Sequence, residues 1–116
     1  MIEWPDYYIL VDRTPIAVDV MTWAEQFRKI DNRRIAEDNF DGVQVSTVFL
    51  GLNHQMRAHG EPILFETMIF GGPLNNSRWR YSTYAEAERG HQQALSEAKK
   101  AALQIKAIAD AAGAKQ

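Results

Sequence analysis

The chain has 116 residues, no cysteine, 46% hydrophobic and 24% charged residues, and a formal net charge of −2. That length and balance describe one globular domain with room for a core that needs no covalent staples. They exclude disulfides and thiolate metal sites, and the acidic balance makes nucleic acid an unlikely partner, because phosphate contacts need concentrated positive charge.

Tyr7 to Val11 (YYILV) reads as a strand, Asp12-Arg13-Thr14-Pro15 as a turn whose proline presets φ, and Ile16 to Val18 as a return strand. Thr22-Trp23-Ala24-Glu25 forms a capping box, with Asp19 as the alternative cap. Val20, Trp23, Phe27 and Ile30 then fall on one helical face. Asn32 to Phe40 can form a strand that carries Ile35 and Glu37, and Arg33-Arg34 reads as a solvated edge. Asp41-Gly42 is a hairpin turn signal, because glycine accepts positive φ at no steric cost.

Val43 to Leu52 is the first strong strand, with Val43, Val45, Thr47 and Phe49 on one face. Asn53 to Gly60 is a polar loop, expected to be mobile. Ile63 to Phe70 is the second strong strand, apolar on both faces apart from Glu66. Such a strand is central and needs cover on its second side, from the long helix or from another chain. Gly71 to Asn76 is a turn cluster, and Ser77 to Ser82 alternates Arg78 and Arg80 against Trp79 and Tyr81. A register with Glu66 opposite Arg80 also sets Phe65 opposite Tyr81 and Thr67 opposite Trp79.

Thr83-Tyr84-Ala85-Glu86 is a second capping box. It opens an alanine-rich helix to about Ala112, ended by Gly113. At 1.5 Å per residue this helix would reach about 44 Å, whereas a compact chain of this size has a radius of gyration of about 13 Å. Either it overshoots the domain, breaks near Gly90, or packs on another chain. His91, Leu95, Ala98, Ala102, Ile105, Ala109 and Ala112 trace a heptad-like seam that predicts a homo-oligomer through this helix. The predicted fold is α+β: one domain over residues 1–116, with an antiparallel sheet of about five strands (about 7–82), one short helix in the N-terminal half and one long C-terminal helix (about 84–112).

Five residues are candidates for binding: His54, Glu66, Arg80, Tyr81 and His91. A carboxylate inside LFETMIF is costly to bury unless paired. Glu66 therefore either forms a structural pair with Arg80 or marks a polar site with it. His54 and His59 flank the loop, where Glu61 or Glu66 could add a ligand, but the spacing does not specify a metal site. His91 reads as a packed, hydrogen-bonded histidine. Ser46, Thr47, Thr67, Ser82 and Thr83 sit in no nucleophile motif, and Gly71-Gly72-Pro73 lacks the lysine and helix of a phosphate loop. Arg78 and Arg80 interleaved with Trp79 and Tyr81 suggest a stacking platform, which the net charge opposes.

The strings VSTVFLGLNH, PILFETMIFGG and RYST followed by EAERGH resemble a group of small proteins encoded by phages and prophages. The resemblance covers Val45 to His91, and the chain departs from the pattern by continuing past it as an Ala/Lys-rich helix. It implies a phage or prophage origin and an accessory role, and it brings no catalytic residues. The expectation is a non-catalytic protein that acts by binding, against a host protein or defence component, in the cytoplasm of an infected or lysogenic bacterium. The alternative is a binder or hydrolase of a nucleotide-like ligand, with its site near the 53–60 loop, Glu66 and Arg80. No cofactor is expected. No stretch approaches the roughly 20 apolar residues of a membrane span, and the start MIEWPDYYILVD lacks the regions of a secretory signal.

Overall fold

The computed structural model describes residues 3–29, 33–57 and 59–113. In chain order its elements are β1 (Tyr8–Val11), β2 (Thr14–Ala17), α1 (Val20–Phe27), β3 (Arg34–Phe40), β4 (Val43–Phe49), β5 (Phe65–Phe70), β6 (Arg78–Tyr81) and α2 (Tyr84–Gly113). The α+β class holds, but the strands form two sheets rather than one. β1 and β2 make a two-stranded ribbon, and β3-β4-β5-β6 make a four-stranded antiparallel meander. Gly51, at φ +75, redirects the chain beyond β4. The ribbon meets the meander's backbone through the Tyr7–Leu52 bridge and the Tyr8 amide donating to the Gly51 carbonyl at 2.8 Å, and its Tyr8 side chain packs into the core.

Local chemistry explains most boundaries. The β1–β2 turn is Asp12-Arg13, both at positive φ. Pro15 therefore lies inside β2, opposite Leu10, and not in the turn as expected. Its missing amide costs nothing there, because that pair exchanges no ladder hydrogen bonds. Asp19, not Thr22, caps α1, by accepting from the Thr22 amide at 2.8 Å. A carboxylate facing the helix N-terminus also interacts favourably with the helix dipole. Within α1, Trp23 and Phe27 stack with ring centroids 4.5 Å apart. Ile30 and Asn32, which the expected helix face and strand included, lie outside the described residues.

The predicted central register is present: Glu66 opposite Arg80, Phe65 opposite Tyr81, Thr67 opposite Trp79. In β3 the pairing shifts between Arg34 and Ala36. This bulge separates Ile35 from Glu37, which a regular strand would have placed on one face. Ile35 packs against the core, whereas Glu37 accepts from Gln44 Nε2 on the open side. Beyond the bulge Ala36, Asp38 and Phe40 share the face of Val45, towards α2.

α2 lies across this face. Its cap is reciprocal, the Glu86 amide donating to Thr83 Oγ1 at 3.1 Å and the Thr83 amide donating to Glu86 Oε1 at 3.0 Å. Ala87, His91, Ala94 and Ala98 form its buried row. Three alanines bring the helix close to the sheet, so that one larger side chain, His91, separates two apolar clusters. One cluster gathers Tyr8, Phe49, Leu64, Phe65 and Ala87, and the other Val43, Val45, Ile69, Ala94 and Ala98. Full burial of a side chain such as Phe65 contributes about 1.5–3 kcal/mol.

The helix does not break at Gly90. It runs for 30 residues and gives the molecule a long axis of 63 Å and a radius of gyration of 17.8 Å. Every residue from Leu103 to Gly113 is exposed. The other sheet face is half-exposed, with alternate residues of β4 and β5 only partly buried and Phe70 42% exposed. The long helix covers one face, and among the described residues no element lies across the second.

Candidate functional site

Four elements converge on a polar chain beneath α2, buried except at its Asp38 end, where the side chain is 46% exposed. Thr67 Oγ1 lies 2.6 Å from Thr47 Oγ1, Thr47 Oγ1 lies 2.6 Å from His91 Nδ1, and His91 Nε2 lies 2.7 Å from Asp38 Oδ2. β5, β4, α2 and β3 each supply one group. Asp38 reaches the row because the β3–β4 hairpin register sets it opposite Val45, on the helix side. The carboxylate can only accept, so Nε2 donates to it. With one proton on the ring, Nδ1 accepts from the Thr47 hydroxyl, and Thr47 accepts from Thr67. Tyr81 closes the far end. Burial holds its phenol above the ordinary tyrosine range, and a hydrogen bond with Thr67 partly offsets that.

A hydroxyl, an imidazole and a carboxylate in this order are the parts of an activated nucleophile. Access decides against that use. Thr47 and Thr67 are fully buried and His91 is 1% exposed, so no substrate carbonyl can approach the hydroxyl. The chain ties three strands to the helix. Each of its bonds contributes on the order of 1 kcal/mol net, and an orphaned partner costs about 1–3 kcal/mol.

The other expected residues are dispersed. Glu66 lies on the opposite, open sheet face, with Arg80 Nε at 2.8 Å and Arg78 Nη1 at 3.9 Å from the same oxygen. It is held between two cations. The same alternation puts Trp79 and Tyr81 on the helix side, so the aromatic and basic residues of β6 do not form one platform. His54 sits where its amide donates to the Ile63 carbonyl at 2.9 Å. The loop after it is pinned by Asn53, which accepts from the Gln55 and Ile63 amides, and by Gln55, which bonds the Glu61 carbonyl. Ala58, within that expected mobile loop, lies outside the described residues. Among the described residues no three His, Asp or Glu side chains gather as a metal site, and no helix is long and apolar enough to cross a membrane.

Two positions of these sites escaped sequence reasoning. Asp38 carries no local signal, because its partner is 53 residues away. Arg33, expected at a solvated edge, is half-buried with its guanidinium 4.4 Å from the Phe27 ring centroid. Arg34 is the solvated member of the pair and meets Glu37 at 3.8 Å. No family model, curated protein or solved structure matches this chain.

Proposed function

We propose that this chain is a non-catalytic accessory protein of phage or prophage origin that acts by binding a host protein. The observation that carries the reading is the second half of α2. It stands clear of the sheet with Leu103, Ile105 and Ile108 at 67%, 54% and 66% exposure. A helix that displays large apolar side chains is suited to a groove on a partner or to a second copy of itself. The buried His91–Thr47–Thr67 part of the row supports the same reading, since the hydroxyls nearest to catalytic machinery serve the core and only the Asp38 end meets solvent.

The test is affinity capture from lysate of a bacterial host with the full-length chain and with Ile105→Glu/Ile108→Glu. The expected result is one stoichiometric host protein with the parent chain and its loss with the variant. Equal capture by both would remove the helix from the interface. The homo-oligomer expected from the seam is measured alongside by light scattering, where a monomer at all concentrations would exclude self-association. His91 and Ala98, at the start of that seam, are already buried against the chain's own sheet. Leu95 packs partly buried against the same core, so Ala102, Ile105, Ala109 and Ala112 remain for a partner helix.

A further inference from the structure

Among the described residues three buried side-chain donors lack a protein acceptor: Tyr8 Oη, Trp23 Nε1 and Arg33 Nε. Buried polar atoms are nearly always paired; Tyr8 and Arg33 meet where β1, α1 and the start of β3 come together, and the Trp23 indole lies behind Phe27, towards Gly51. Trp23 stacks on Phe27, and the Arg33 guanidinium lies over the same Phe27 ring. Arg33 has no carboxylate partner among the described residues. Tyr8, Gln26, Phe27, Arg33 and Phe49 line a cleft of about 300 Å³ in the same corner.

The donor set defines the missing chemistry. An indole and a guanidinium donate and never accept. Burial first, and the Asp6 carboxylate second, hold the Tyr8 phenol above the ordinary tyrosine range, so it too is present as a neutral O–H. Gln26 can add an amide donor. The three orphaned donors lack acceptors, and the half-buried Arg33 guanidinium lacks a paired carboxylate among the described residues. Arginine pairs with carboxylate and phosphate through parallel N–H bonds. The cleft is at the small end of ligand sites, and its phenylalanine walls suit an apolar body.

We propose that this cleft is a binding site for a small organic oxyanion, a carboxylate or phosphate monoester carrying a compact aromatic or apolar group. Arg33 holds the anionic head, and Phe27 and Phe49 contact the body. The site uses none of the α2 residues on which the host-protein reading rests, so either can fail alone.

The experiment titrates the full-length chain with benzoate and with phenyl phosphate, against neutral benzamide, by thermal shift and by ¹⁵N–¹H spectra. At least one anion is expected to raise the melting temperature with concentration and to move the Trp23 indole and Arg33 Nε–H resonances, with benzamide inert. Whichever anion binds identifies the head group. Arg33→Met is expected to weaken binding at least about tenfold, and Arg78→Gln to leave it unchanged. If neither anion binds, if benzamide binds equally, or if the shifted resonances lie elsewhere, the proposal is overturned. The spectra decide the matter on the parent chain if Arg33→Met does not fold.

Discussion

Gly90 stands directly over the Tyr81 phenol, and a Cβ at Gly90 would overlap the ring carbons and the hydroxyl oxygen. The glycine inside a strong helix is thus a contact surface for β6. Gly→Ala in a helix interior ordinarily stabilises by about 1 kcal/mol. Here Gly90→Ala should destabilise by about 1–3 kcal/mol, the usual cost of overpacking. In a Tyr81→Ala background the same substitution should become neutral or stabilising. Urea denaturation of the four proteins measures this change of sign.

The Thr67–Thr47–His91–Asp38 chain should behave as one unit. His91→Ala removes a buried side chain and orphans partners on both sides, so a loss of about 2–4 kcal/mol is expected. Thr47→Val should cost about 1–3 kcal/mol, and Thr47→Val with Thr67→Val less than the sum of the two singles. Strict additivity in a double-mutant cycle would show that the threonines do not interact.

Asp19 makes an acid-limb prediction. Its carboxyl is held below the ordinary aspartate range, chiefly because the Thr22 amide bonds the ionised form. A group whose folded value is depressed adds stability that is present above its unfolded value and lost as pH falls through the folded one. Melting temperature should therefore decline as pH drops through and below about 4, and Asp19→Asn should flatten that decline without changing its direction. Thermal melts across that range, followed by circular dichroism, test both points. A parallel decline in the two proteins would assign the acid limb to other carboxylates.

The ion pair of Glu66 and Arg80 is half-open to water on its arginine side, at 35% exposure against 14% for Glu66. Its coupling should be small, about 0.5–1 kcal/mol in a Glu66→Gln/Arg80→Gln cycle, and should shrink with salt. A coupling that is large and insensitive to salt would mean that the open face is desolvated by self-association.

The elements that could be read from residue order share a cause: their determinants are close in sequence. The Thr83–Glu86 cap closes within one turn, and the β5–β6 register follows from alternation across a glycine turn. Both appear in the structure as expected, and the α+β class follows from them. Pro15 was misplaced because Asp12 and Arg13, neither a glycine, took the positive φ of the turn. The single sheet was an error of the same type, since nothing before Gly51 shows that the chain turns out of plane there. The polar row joins groups 20, 44 and 53 residues apart, and no spacing rule reaches that far. The isolated Gly-His pair in an alanine-rich helix was its one local trace. The unpaired donors around Arg33 depend on which way one side chain turns, a matter of packing rather than of sequence order.

α2 divides its own residues into two thermodynamic classes. Up to Ala102 each turn is held by the sheet, and amide exchange there should require opening of the whole core. From Leu103 onward the hydrogen bonds of the helix are supported only by the turn before them, so protection should decay residue by residue towards Gly113. The packed half has already met the cost of nucleation, which an isolated segment of that length would have to bear alone. The tip is therefore ordered by its neighbour and indifferent to its own side chains. Substitutions that keep helix propensity at Leu103, Ile105 and Ile108 should leave the melting point unchanged, so the exposed surface of the tip can vary while the fold stays where it is.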